Sequence, residues 1–265
     1  MKNIFKFVLT VIILSVTMCS AERINILTPY FGVEKNTFVY KKYNVSLEDS
    51  SNMKGIFFQS VDTKKYQYNL YLFLTENINY SDLKGINFVY DHYFTSNSKN
   101  KNVLGAGVNF LNLNLDGKNV PVTMGTLDGF KLDMDVYSLF FRAGRSYATE
   151  GKKLNLTMMP WAGVQMDKIR GNGFVDYPGP GEAFFDVVQD EYYGIVGIKL
   201  MADYCHFIQG ELKYNITFND EYYHKVAAML NLFFSRSLGL SYRFSYQETS
   251  VGKDVYNIFG VAVMF

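Results

Sequence analysis

Bond-making chemistry in this sequence would have to come from three histidines, one pair of closely spaced aspartates and one glycine-rich run. His92 precedes Tyr93 and Phe94, His206 precedes Phe207 and Ile208, and His224 precedes Lys225 and Val226. Acyl transfer by a serine needs a histidine within reach of the hydroxyl and a third group to orient the ring. No serine lies two residues from any of the three, so no such couple shares a strand face. Asp133 and Asp135 have the spacing of a paired acid and base, but Lys131 shares their face and the three read as a neutralised polar stripe. The run GNGFVDYPGPGE, residues 171–182, lacks the Lys-Ser or Lys-Thr of a phosphate loop and precedes no helix. It reads as a loop of turns. Scattered histidines give no metal-ligand spacing. The expectation is no catalytic residue, no cofactor and no metal.

Stepping outward from those residues, 26 basic side chains against 25 acidic give a formal charge of +1, which leaves no electrostatic footprint for nucleic acid. The 48% hydrophobic content and only five prolines exclude disordered and collagen-like classes, while 21 Tyr and 23 Phe favour strands.

The chain opens MKNIFKFVLTVIILSVTMCSAE. Lys2 and Lys6 form a basic start, Phe7 to Val16 a short apolar stretch, and Cys19-Ser20-Ala21 offers small residues for a cut, so residues 1–21 read as a secretory signal peptide cleaved after Ala21. The alternative is lipid modification of Cys19. The apolar stretch falls short of the roughly 20 residues that a membrane-spanning helix needs. Cleavage would leave Cys205 as the one cysteine, and with it no internal disulfide.

From Met53 onward, apolar and polar residues alternate with the period of two that marks strands. In residues 207–218, Ile208, Leu212, Tyr214, Ile216 and Phe218 share one parity, and Gln209, Glu211, Lys213, Asn215 and Thr217 the other. Twelve such segments are predicted: 24–33, 53–62, 66–77, 84–95, 102–115, 129–148, 153–168, 190–204, 206–218, 222–236, 238–248 and 254–265. An even number suits a barrel with both termini on one side, and the longest connections, 34–52 and 169–189, then both fall on the outer side. Strands of 12 to 15 residues are longer than the five or six usual in soluble sheets.

The last segment ends GVAVMF. Phe259, Val261, Val263 and Phe265 lie on one face, with Tyr256, Ile258 and Gly260 on the other. A closing amphipathic strand with a final Phe resembles the assembly signal of Gram-negative outer-membrane β-barrel proteins, with Tyr256, Phe259, Val261, Val263 and Phe265 as its residues. The resemblance implies an all-β, antiparallel, up-and-down transmembrane barrel of about 12 strands, with ten as the alternative, over residues 22–265. It implies location in the outer membrane. Its partners would be outer-membrane lipid, the barrel-assembly machinery, periplasmic chaperones, and small solutes or surface ligands. Comparison with outer-membrane phospholipase and the omptin proteases fails on the residue couples those chemistries need.

Lys131, Asp133, Asp135, Lys199, Asp203, Glu211, Lys213, Lys225 and Arg243 are expected to face the lumen as mixed-sign pairs that fill a narrow interior. Trp161 and Tyr71 are inward aromatic candidates. The expected function is a narrow, porin-like passive channel. The alternatives are a plugged, surface-exposed barrel acting through its outer loops and, more distantly, a secreted soluble β-protein or a barrel hydrolase.

Overall fold

The computed structural model describes residues 23–40, 45–62, 65–76, 81–95, 99–122, 125–151, 153–178, 181–205, 207–249 and 252–265. They form twelve strands: β1 Arg23–Tyr40, β2 Val45–Asp62, β3 Tyr66–Glu76, β4 Ser81–Thr95, β5 Asn100–Val122, β6 Gly125–Glu150, β7 Leu154–Asp176, β8 Glu182–Tyr204, β9 Ile208–Phe218, β10 Tyr222–Phe233, β11 Leu238–Thr249 and β12 Gly252–Met264. Each strand pairs antiparallel with the next, and β12 pairs with β1, so the sheet is a closed barrel. The β1–β12 ladder runs from Ile26 opposite Met264 to Phe38 opposite Gly252. Beyond it, Asn25 and Phe265 exchange both backbone hydrogen bonds, at 3.2 and 3.0 Å. The end that holds Arg23 and Phe265 is called inner here, and the opposite end outer.

The alternation has a clear spatial meaning. On β7, Leu154, Leu156, Met158, Pro160, Ala162, Val164 and Met166 point outward, with Val164 60% exposed. Residues Leu154 to Met166 cover roughly 40 Å along a strand, or about 30 Å along the barrel axis at a ~40° tilt, close to the ~25 Å apolar band of membrane barrels. Neighbouring strands continue the belt through Leu104, Val108, Phe141, Val196, Leu200, Leu212, Leu240 and Phe259, all exposed on the outer wall.

Strands β5 to β8 run well past this belt, and there the pattern inverts on β5 to β7, while Phe184 and Val188 of β8 remain exposed on the outside. The outward positions change to Asn112, Asn114 and Asp116 on β5, to Asp135, Asp133 and Lys131 on β6, and to Lys168, Arg170 and Asn172 on β7. The inward positions become apolar, and Leu115, Leu127, Phe130, Leu132, Met134, Ile169, Val175 and Phe185 form one buried cluster. Water in place of lipid on the outside is the physical cause: above the bilayer the outer wall must be polar, and the inner wall can pack as a core.

The structure corrects two expectations. Segments 34–52 and 169–189 are not long loops. Strand β1 continues to Tyr40, β2 begins at Val45, β7 continues to Asp176 and β8 begins at Glu182. Residues 34–40 and 45–52 keep the phase but are largely polar on both faces, with Glu34 and Ser51 buried inward, whereas alternation read in a single phase loses 169–189 because the phase itself reverses there. For the same reason Lys131, Asp133 and Asp135 do not face the lumen. They lie on the water-facing wall, where Asn112 donates to Asp135 at 3.0 Å and to Asp133 at 3.3 Å, and Lys131 stands 3.9 Å from Asp116.

Inside the barrel, large side chains lie over glycines of the adjacent strand. A Cβ on Gly107 would come within 2.3 Å of the Phe140 ring, on Gly197 within 2.4 Å of Trp161, and on Gly55 within 2.3 Å of the Tyr30 hydroxyl. At the closing seam, a Cβ on Gly32 would meet the Asn257 carbonyl at 2.0 Å and the Ile258 Cα at 2.6 Å. Backbone cannot step aside as a side-chain end can.

Two stability outcomes follow. Gly32→Val should destabilise the barrel by about 1–3 kcal/mol, the usual cost of overpacking, while Gly181→Val, which meets nothing within 4 Å, should be neutral. Met158→Arg, near the middle of the belt, should cost about 2–4 kcal/mol in a bilayer because it buries a charge in hydrocarbon, and Asn172→Arg should change little. Urea unfolding of the bilayer-inserted chain measures all four.

Candidate functional site in the barrel lumen

The lumen contains the chain's concentrated polar chemistry. Lys199, Asp203, Glu211, Lys213, Lys225 and Arg243 lie on inward-facing positions of β8 to β11, on the parity that also carries Met159, Trp161, Ala227 and Met229. The fold brings Lys199, Glu211, Lys213 and Arg243 together in the inner half. Lys225 sits nearer the outer mouth, beside Asn215 and Gln247. Asp203 is half-buried near the inner rim, opposite Asn155 and Gln209.

Two residues that the sequence reading passed over organise the cluster. Arg142 on β6 grips Asp91 on β4: Arg142 Nη2 donates to both carboxylate oxygens at 2.7 Å, and Nε donates to Oδ1 at 3.0 Å. The two side chains are 8% and 1% exposed. Lys199 Nζ lies 3.7 Å from Asp91 and donates to Gln67 Oε1 on β3 at 3.0 Å. Strands β8 and β3 stand on opposite sides of the barrel, so this contact crosses the lumen. Tyr93 donates its hydroxyl hydrogen to the same Gln67 oxygen at 3.2 Å. Lys213 pairs with Glu211 at 2.6 Å. Arg142 also lies over the Phe140 and Trp161 rings, at 5.7 and 5.1 Å from their centroids.

The signal for Asp91 and Arg142 was present but weak: each is a lone charge within an aromatic run, INFVYDHYF and LFFRAG, at the inward parity. Periodicity marks such a charge as lumenal but cannot say which strand supplies its partner.

Apolar groups seal the inner end. Ile26, Phe233 and Ala262, with Ile24 and Met264 against them, form one buried patch. Tyr93, Val103 and Met159, packed on Trp161, form another. Above this floor lies a cavity of about 400 Å³. Its lining includes Arg243, Tyr71 and Tyr256 low down, Asp167, Lys225, Gln247 and Asp254 higher, and Leu111, Leu113, Met134, Val136 and Ile169 on one side.

The remaining candidates have plain positions. Tyr256 points inward and stacks on Tyr71 at 6.3 Å, while Phe259, Val261 and Phe265 are exposed on the outer wall. Val263 shares their outward parity, opposite Leu27 and Leu238. His92 and His224 also lie on the outer wall, hydrogen-bonded to Tyr90 at 3.1 Å and to Tyr214 at 3.0 Å. Residues 1–21 with Ala21 and Cys19, and His206, lie outside the described residues. Among the described residues, no group of three or more His, Cys, Asp or Glu side chains is placed to hold a metal ion.

No protein-family model matches this sequence, and neither does any curated protein. Solved structures do resemble it. The translocator domain of the autotransporter NalP from Neisseria meningitidis is 9% identical, with a TM-score of 0.50 over 100% of this chain and 96% of that one. The β domain of the Bordetella autotransporter BrkA is 9% identical, with a TM-score of 0.44 over 89% and 98%. The toluene transporter TodX of Pseudomonas putida is 9% identical, with a TM-score of 0.41 over 94% and 90%. The NalP likeness and the closed topology define the class: a twelve-stranded, antiparallel transmembrane β-barrel.

Asp91 neutralises two buried cations, and removing one partner of such a group costs far more than the group contributes net. Asp91→Asn should therefore lose about 3–5 kcal/mol, and Asp91→Asn with Arg142→Met should recover part of it. Trp161 emission during urea unfolding checks both.

Proposed function

We propose that this chain is an outer-membrane barrel whose lumen is closed across its inner half and opens as a cup toward the cell surface. The carrying observation is the Lys199–Gln67 hydrogen bond, which bridges opposite walls between residues that are each 1% exposed. With Arg142 and Asp91 beside it and apolar patches beneath, an ion would have to break a paired charge cluster to pass. Insertion in the outer membrane is supported by the apolar belt and by the extension of β5 to β8 beyond it at the end away from both termini. Export through residues 1–21, cleavage after Ala21, and an assembly signal formed by Tyr256, Phe259, Val261, Val263 and Phe265 belong to the same reading. So do contacts with outer-membrane lipid, periplasmic chaperones and the assembly machinery. The cup and the outer wall of the β5–β8 extension, polar on β5 to β7, would do the work, on small solutes or surface ligands.

A second reading, a narrow passive channel, is favoured by one observation: the cavity already reaches from the outer half of the lumen down to Arg142 and Glu211. Only the inner plug would then have to move.

Planar-bilayer recording separates the two. The refolded chain, shown to be a barrel by heat-modifiable migration, should give no conductance steps, and Lys199→Ala with Gln67→Ala should introduce them. Stable steps from the unmodified chain would overturn the closed-lumen reading and establish the channel.

A further inference from the structure

The cup has two unlike walls. Leu111 and Leu113 from β5, Met134 and Val136 from β6, and Ile169 from β7 make one side apolar. Opposite and below, Arg243 of β11 lies with its guanidinium carbon 3.2 Å from the Phe57 ring centroid. Arg243 lines the cavity and is 9% exposed, and its Nε and Nη2 atoms, covered by neighbouring side chains, have no hydrogen-bond partner. Those two atoms form one edge of the guanidinium, and their N–H groups point the same way in one plane.

An unpaired, buried N–H is costly, and two on one charged edge are more so. That edge matches the two oxygens of a carboxylate, which it can bind through parallel hydrogen bonds. The stack on Phe57 fixes the plane of the fork. Tyr30, Tyr71, Tyr256 and Glu211 surround it, and Glu211 is engaged by Lys213 at 2.6 Å. Glu34, which lines the same cavity, adds negative charge and so favours a singly charged guest over a dianion. The cavity volume of about 400 Å³ lies within the ~300–1,000 Å³ range of small-molecule pockets.

We infer that the cup binds a small amphipathic monocarboxylate, its head displacing the side chains that cover the Nε–Nη2 edge of Arg243 and its apolar body lying against Leu113, Val136 and Ile169. The inference rests on the closed-lumen reading, since the plug supplies the floor of the site.

The single tryptophan, Trp161, lines the cavity and gives a built-in signal. With the full chain refolded in amphipol, decanoate kept below its critical micelle concentration should change Trp161 emission saturably. Equal concentrations of 1-decanol or decyl phosphate should bind more weakly. Arg243→Lys keeps the charge but loses the fork and should weaken decanoate about tenfold or more. Val136→Phe fills the apolar side without touching Arg243, and it should weaken decanoate while preserving heat-modifiable migration. The inference is overturned if a folded barrel gives no saturable signal, if decanol or decyl phosphate binds as tightly as decanoate, or if Arg243→Lys leaves affinity unchanged. Conductance from the unmodified chain would instead strike the closed-lumen reading, while the titration still reports on Arg243.

Discussion

A strand inside hydrocarbon has no water to accept its N–H hydrogens or donate to its carbonyls, so every backbone group must find a partner on a neighbouring strand. That requirement makes the β1–β12 ladder the condition on which everything else in this protein rests. Leave it open and two edges face lipid with unpaired amides; close it and both edges vanish. Gly32 and Gly260 sit within this seam, where the Asn257 and Pro29 carbonyls leave no room for a Cβ. The ladder is completed at the inner end by the paired backbone of Asn25 and Phe265.

Closure creates an interior that must then be filled or wetted. Here the inner half is filled, with charge balanced by charge and rings seated over glycines. Asp91 sits between Arg142 and Lys199, and Glu211 is paired with Lys213. Buried charges of this kind add little net stability, since desolvation offsets most of the attraction. What they provide is a fixed arrangement, because each partner is costly to leave unmatched. Arg243 departs from that pattern. It is buried among rings with one edge unmatched, whereas Arg142, Lys199 and Lys213 each face a carboxylate.

The outer half follows a different rule, set by the solvent around it. Where β5 to β8 leave the bilayer, the outer wall of β5 to β7 turns largely polar and the inner wall packs Phe130, Leu132, Ile169 and Val175 into a core. Thus one barrel contains both membrane-protein and soluble-protein patterning, stacked along the same strands. The cup lies where the two meet, and this is why its lining is apolar on one side and charged on the other.

Strand number, parity within the bilayer and the closing strand were all legible in the sequence, because each depends on local alternation. Ile208 to Phe218 alternates in print as it does in the wall, and Lys199, Glu211 and Arg243 fall on the inward parity by counting alone. Local alternation cannot reveal which medium surrounds a strand at a given height, so Lys131, Asp133 and Asp135 were read on the wrong face, while 34–52, largely polar on both faces, offers little alternation to read. Nor can it pair residues that are distant in the chain. Asp91 meets Arg142 and Lys199 meets Gln67 only because closure curls twelve strands into a cylinder of fixed radius. The sequence by itself determined a barrel and its two-faced strands, since backbone satisfaction in lipid admits few other solutions. Tertiary structure alone decided that the lumen is bridged and that a cup with an unmatched guanidinium edge stands above the bridge, since both depend on distances across a closed ring.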